Sequence, residues 1–124
     1  MGDYPRSTGL TRMRNACRYT GDGLRATWRE EAAFREESVL VLAALALMIF
    51  LPLPLAHSWP LLASALFLWT VELLNTAMEA VVDLASPQLH PLAKKAKDAG
   101  SAAVAMALGL LGLVWIFTLW PLFA

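Results

Sequence analysis

Five polar side chains interrupt one otherwise apolar stretch of this chain: Glu72, Asn75, Thr76, Glu79 and Asp83. Spacing of three and four residues puts Glu72, Asn75, Glu79 and Asp83 within about 80° of one another on a helix. From Trp59 to Val71 the only side chains of hydroxyl, amide or ionisable type are Ser64 and Thr70. A charge at mid-membrane costs at least about 2.5–3.5 kcal/mol, so this face must look into protein or a wet cleft. Counted from Trp59, Glu72 lies about 20 Å along the helix and Glu79 about 10 Å further. The deeper carboxylate is poorly solvated and suits a general base working near neutral pH. The shallower one suits a hard cation such as Mg²⁺. The competing role for the same face is a polar seam that orients helices or builds an oligomer. Asp83 reads as an interfacial anchor rather than a catalyst.

More charge gathers at the same level. Glu30, Glu31, Arg35, Glu36 and Glu37 precede the apolar run that opens at Val39. His90, Lys94, Lys95, Lys97 and Asp98 precede the one that opens at Ser101. Carboxylates and cations beside the cytosol can hold a metal and a polyphosphate. Solvated helix ends would look the same, and residue chemistry alone does not separate Glu31 from Glu30. The sequence has no Gly-x-x-x-x-Gly-Lys-Ser/Thr loop and no His-Arg-Asp motif. His57 is expected to be structural or solvated, and Cys17 to be a small interfacial hydrophobe.

The elements that must position these groups are membrane helices. The chain has 124 residues, 58% hydrophobic and only 16% charged, with mean hydropathy +0.54. Ten Lys and Arg balance ten Asp and Glu, which argues against a basic nucleic-acid binder. One cysteine excludes an intramolecular disulfide framework. Apolar segments predict transmembrane helices over about 38–56, 59–84 and 101–122. Pro52 and Pro54 would close the first, and His57-Ser58 would form a very short turn. Residues 86–100 are expected to form a loop. Over about 10–37, Leu10, Met13, Cys17, Leu24, Trp28 and Ala32 recur on one face, predicting an amphipathic surface helix. Thr20-Gly21-Asp22-Gly23 is expected to bend or break it. Ala103, Ala105, Ala107, Gly109 and Gly112 would allow close helix contacts in the third span. All seven arginines, Arg6 included, precede residue 36, and all three lysines lie in the 86–100 segment. The positive-inside rule puts both regions in the cytoplasm and the C-terminus on the far side.

Three strings now coincide: EEAAFREE over 30–37, ELLNTAMEAVVD over 72–83 and AKDAGSAAV over 96–104. With Gly-Leu-Arg-x-x-Trp at 23–28, they resemble the small bacterial integral-membrane diacylglycerol kinase family, from about Arg12 to Trp120. The resemblance implies an all-α homotrimeric helical bundle of three spans and a surface helix per chain, in the bacterial inner membrane. It implies transfer of the γ-phosphate of ATP to diacylglycerol, giving phosphatidic acid and ADP, with Mg²⁺ and sites formed between subunits. By the same resemblance Glu72 is the base and Asn75 the amide that positions it. Glu31 and Glu79 hold the metal and the nucleotide. Arg12, Tyr19, His90, Lys97 and Asp98 contact ATP. Arg35, Glu37 and Ser101 line the lipid side, together with Arg12, Arg25, Trp28 and Glu72 itself.

The chain departs from the family pattern at Arg18-Tyr19-Thr20-Gly21-Asp22-Gly23, where a tryptophan and a lysine are lost, and at Glu36, where the family has glutamine. Three rivals stay open: an undecaprenol kinase of the same family, a trimeric scaffold without catalysis, and a small cation conductor. The Glu-Ala-Ala-Phe-Arg string at 31–35 resembles the diacylglycerol-using branch.

Overall fold

The computed structural model describes residues 8–124, so Arg6 lies outside it. Four helices follow one another: α1 (Gly9–Glu30), α2 (Ala32–Phe50), α3 (Leu55–Ala85) and α4 (Pro91–Phe123). The fold is all-α, as the apolar segments require. Links of four residues (51–54) and five (86–90) make α2, α3 and α4 antiparallel neighbours. α3 and α4 are fastened near both ends. At one end the His57 ring donates through Nε2 to the Thr118 carbonyl at 3.2 Å and packs on Phe117. At the other, Lys97 Nζ lies 2.6 Å from Asp83 Oδ1.

The core is small and made mostly of short side chains. Val41 and Ala44 of α2 meet Leu61, Ala65 and Leu68 of α3 and Ala107 and Leu111 of α4. An alanine from each helix lets the three backbones approach closely, the packing that apolar solvent favours. α1 rests chiefly on α2. Nearly all of α1 is exposed within the chain, with Leu10 83% and Met13 64% exposed, while Leu24 and Trp28 turn toward the bundle.

Several boundaries differ from the sequence expectation. α1 runs unbroken through Thr20-Gly21-Asp22-Gly23. Thr20 Oγ1 donates to the Ala16 carbonyl, and a side chain at either glycine would meet open space. Two glycines cost about 1 kcal/mol each, too little to interrupt a 22-residue amphipathic helix. The break falls at Glu31, whose backbone is extended (φ −113°, ψ 110°). Residues 32–37 therefore belong to α2 and not to the surface helix. The turn after α2 is Leu51–Pro54, one step earlier than expected, and His57-Ser58 lie within the first turns of α3. The supposed loop 86–100 shrinks to 86–90, because Pro91 opens α4. Proline suits a first helical position, where its missing N–H is not needed.

By length and composition, α3 and α4 are apolar enough to cross a membrane. α2 falls short because Arg35, Glu36 and Glu37 occupy its first turns. At 31 and 33 residues, α3 and α4 are about 46 and 50 Å long, against roughly 30 Å of hydrocarbon. Asp83 on one and Lys94, Lys97 and Asp98 on the other lie together at the charged end of this surplus length.

The unbroken α1 makes a prediction. Gly21→Ala and Gly23→Ala are each expected to stabilise this helix by about 0.5–1 kcal/mol. Slower amide hydrogen exchange across Thr20–Leu24 in bicelles would show it, and unchanged exchange would place a break there after all.

Candidate active site

The site is laid out along one face of α3. Its deepest member is Trp69, whose indole stacks on Phe34 of α2 with centroids 4.9 Å apart and planes 5° apart. The indole N–H donates to Ser38 Oγ at 3.0 Å, and that hydroxyl donates to the Phe34 carbonyl at 2.7 Å. Beside this group lies an apolar cavity of about 400 Å³ between the surface helix and the bundle. Leu24, Arg25 and Trp28 of α1, Phe34 and Val41 of α2, and Trp69 line it.

One turn beyond Trp69 is Glu72, 4% exposed. The buried carboxyl of Glu37 on α2 lies against it. Glu37 Oε2 is buried without a hydrogen-bond partner among the described residues. Glu31 and Glu79 stand within electrostatic range of Glu72. Asn75 donates to Glu79 Oε1 at 3.4 Å, while its own Oδ1 is buried without a partner among the described residues. This face therefore gathers four acids and an amide, with Glu37 in addition to the members the α3 spacing identified.

No group of three ligating side chains among the described residues is close enough to hold a metal by itself. Glu31 and Glu79 are both half-buried and each lies within electrostatic range of Glu72. As carboxylates they are hard oxygen donors, the ligand type that suits Mg²⁺, which is commonly bound by one or two carboxylates and completed by waters and substrate phosphates.

Arg35 has a structural task. Its Nη1 reaches back across the break to the carbonyls of Trp28 (2.6 Å) and Arg29 (3.3 Å). Helix C-termini leave carbonyls unpaired, and a cation there also favours the helix dipole. Arg35 thus ends α1 and holds Glu31 at the corner.

Where α3 and α4 leave the core, a polar cavity of about 240 Å³ opens around Asp83, Gln88, His90, Lys94, Lys97 and Asp98. His90 caps α4, its Nδ1 accepting from the Leu92 N–H at 3.1 Å. Lys94 bonds Asp98 at 2.5 Å, and Asp83 is ion-paired rather than a bare anchor. Lys94, Lys97 and Asp98 sit on a helix, not a loop, so their spacing along α4 is fixed.

The structure thus brings together Glu31, Glu37, Glu72, Asn75 and Glu79, and separately His90, Lys97 and Asp98. Arg25 and Trp28 reach the apolar cavity. Arg12, Tyr19 and Ser101 are exposed on α1 and α4 and line neither cavity. The sequence reading missed Trp69, Ser38 and Gly100. A side chain at Gly100 would collide with the Asn75 amide and the Met78 methyl, so glycine there is what lets α4 close on Asn75. A glycine between Asp98 and Ser101 in a helical run was the available signal.

A helical membrane protein that buries a carboxylate between an apolar cavity and a cation-lined one has the makings of an enzyme acting on a lipid with a charged co-substrate. Comparison with known proteins agrees. Residues 18–119 match the family model described as prokaryotic diacylglycerol kinase. A protein named diacylglycerol kinase from Escherichia coli (strain K12) is 42% identical over 117 residues, 94% of this chain and 96% of its own length. Those of Haemophilus influenzae (38%, 89% and 93% covered) and Pseudomonas aeruginosa (41%, 87% and 88% covered) are similar. The chain belongs to the prokaryotic diacylglycerol kinase family, and its class is that of the lipid kinases.

The close approach at Gly100 sets a test. Gly100→Ala is expected to be net destabilising by about 1–2 kcal/mol, the overpacking cost less the helix preference of alanine and any give of the Asn75 and Met78 side-chain ends. Thermal unfolding in detergent measures it, and Asn75→Ala in the same chain should recover part of the loss.

Proposed function

We propose that this protein transfers the γ-phosphoryl group of ATP to the free hydroxyl of diacylglycerol, giving phosphatidic acid and ADP, at the cytoplasmic face of the bacterial inner membrane. The observation that carries this is the order along α3. Trp69 lines an apolar cavity, Glu72 is buried next, Asn75 and Glu79 follow, and Asp83 meets Lys97 at a polar cavity. A lipid reaching the first cavity and a nucleotide reaching the second would meet at the acids between them. The names of the relatives support the same substrate.

In this reading Glu72 takes the proton from the lipid hydroxyl as its oxygen attacks the γ-phosphorus. The bond to the β-phosphate oxygen breaks and ADP leaves with that oxygen. Asn75 and Glu37 fix the position of Glu72. His90, Lys97 and Asp98 bind the nucleotide at the polar cavity, and Arg25 and Trp28 guide the lipid at the apolar one. Arg12 and Tyr19 toward the nucleotide, and Arg35 and Ser101 toward the lipid, line neither cavity within one chain and would act in sites shared between subunits. Glu31 and Glu79 would hold Mg²⁺, which supplies charge neutralisation at the phosphate oxygens. Phosphoryl transfer needs mainly positioning and charge compensation, so a bundle this small suffices.

The proposal extends to assembly and topology. The whole chain forms one membrane-integrated domain, with α3 and α4 crossing the bilayer and α2 completing a third, shorter crossing because the uncharged run that starts at Ser38 continues past its end to Ala56. The N-terminus is then cytoplasmic and the C-terminus periplasmic. Ala105, Gly109 and Gly112 of α4 are exposed on one side of the helix, and a side chain at either of these glycines would meet open space. This face suits a neighbouring copy in a homotrimer with shared sites.

The test is label transfer from γ-labelled ATP to diacylglycerol and, separately, to undecaprenol in mixed micelles with Mg²⁺. Glu72→Gln is expected to lose about 10²–10⁴-fold in rate, the usual contribution of a general base, while the oligomer persists. Glu31→Gln and Glu79→Gln should each raise the Mg²⁺ concentration needed for half-maximal rate. Label mainly on undecaprenol would overturn the acceptor, and no label on either would overturn the kinase reading.

A further inference from the structure

Two residues belong both to the apolar cavity and to the neighbourhood of the buried acids. Ser38 lines the cavity and directly follows Glu37; Trp69 lines it and lies one helical turn before Glu72. They are joined to each other by the 3.0 Å hydrogen bond across α2 and α3. The bond leaves neither group free to reorient. The Ser38 hydroxyl accepts from the indole and gives its own proton to the Phe34 carbonyl, and the Phe34 ring in turn stacks on the indole. Phe34 is 1% exposed and Ser38 7%, so these contacts are largely shielded from solvent.

An indole N–H in an apolar region needs a partner, and once paired its flat ring has one orientation. The cavity is therefore closed on the Glu72 side by a rigid wall rather than by a flexible aliphatic chain. A rigid wall beside a general base determines how deep an acceptor sits, and so where its hydroxyl stops. Small misplacement is costly, since about 1 Å is enough to lose 100-fold in rate.

We propose that Trp69, locked by Ser38 and Phe34, is a positioning residue that sets the depth of the lipid acceptor and discriminates lipid alcohols by the bulk beside their hydroxyl. This rests on the lipid-kinase reading above. Diacylglycerol lies against the indole with its hydroxyl at Glu72. Removing the ring deepens the cavity, lets diacylglycerol slip, and admits acceptors of different shape.

The experiment compares wild type with Trp69→Ala, Trp69→Phe and Ser38→Ala in mixed micelles, using diacylglycerol and undecaprenol as acceptors and determining kcat and KM for each lipid and for ATP. Trp69→Ala is expected to lower kcat/KM for diacylglycerol at least about 10-fold and to shrink its preference over undecaprenol by a similar factor. The KM for ATP should stay within about twofold, because the nucleotide is bound elsewhere. Trp69→Phe, which keeps a ring on Phe34, should restore most of the preference. Ser38→Ala, which frees the indole, should fall between the two. A loss equal for both lipids, or one that also raises the KM for ATP, would overturn the proposal, as would an unchanged preference in all three variants. A diacylglycerol bearing a photoreactive acyl chain separates the two claims. Labelling of the Leu24–Trp28 and Phe34–Leu42 peptides that shifts in Trp69→Ala supports the wall even in a preparation that transfers no phosphate. Labelling with the same pattern in wild type and variant overturns it.

Discussion

Glu72 is an acid on a helix whose other faces are apolar, and a carboxylate cannot be left against hydrocarbon. Every neighbour of this side chain follows from that constraint. α2 must cover it, so α2 begins with polar residues and brings Glu37 alongside. Two acids so close repel each other, and the adjoining aromatic stack and the Trp69–Ser38 bond offset that repulsion by holding α2 on α3. α4 approaches from the other side, and glycine at position 100 leaves room there for the Asn75 amide and the Met78 methyl. The small core further down, with an alanine from each helix, continues the same close packing.

The polar face of α3 was legible from spacing alone. Glu72, Asn75 and Glu79 recur at three and four residues within an apolar run, a pattern whose cost in hydrocarbon marks it as facing protein or water. The apolar segments were equally plain, although α2 is shorter than a full span because its first turns serve the site. Local signals failed where several weak preferences compete. Gly21 and Gly23 suggested a break, but the summed preference of a long amphipathic segment outweighs two glycines. The real break, at Glu31, depends on Arg35 reaching back to the carbonyls of Trp28 and Arg29, a contact that appears only once the chain has turned. This is also why Glu31 could not be told from Glu30 by residue chemistry. Trp69 read as one more aromatic in a span, since its bond to Ser38 requires the register between two helices.

The length of α3 and α4 explains why one small protein can serve two phases. Each overshoots the hydrocarbon, so a continuous helix face passes from an apolar setting to an aqueous one. The apolar cavity and the polar cavity are the two ends of that passage, and the acids occupy its middle. Stacking them along one helix keeps their spacing fixed by backbone geometry rather than by loops.

The fastenings of the bundle are unevenly shared. α3 and α4 are pinned near both ends, at His57–Thr118 and Asp83–Lys97, whereas α1 leans on α2 with nearly all of its length exposed. Regions with few buried contacts open at the least free-energy cost. The bundle therefore has a stiff spine and a yielding flank, and the apolar cavity lies on the flank. A two-dimensional solvent delivers its solutes sideways, so on the proposed lipid-kinase reading a membrane-borne reactant would enter by the seam beneath α1, the side with the fewest buried contacts, while the α3–α4 spine would hold the acids in register.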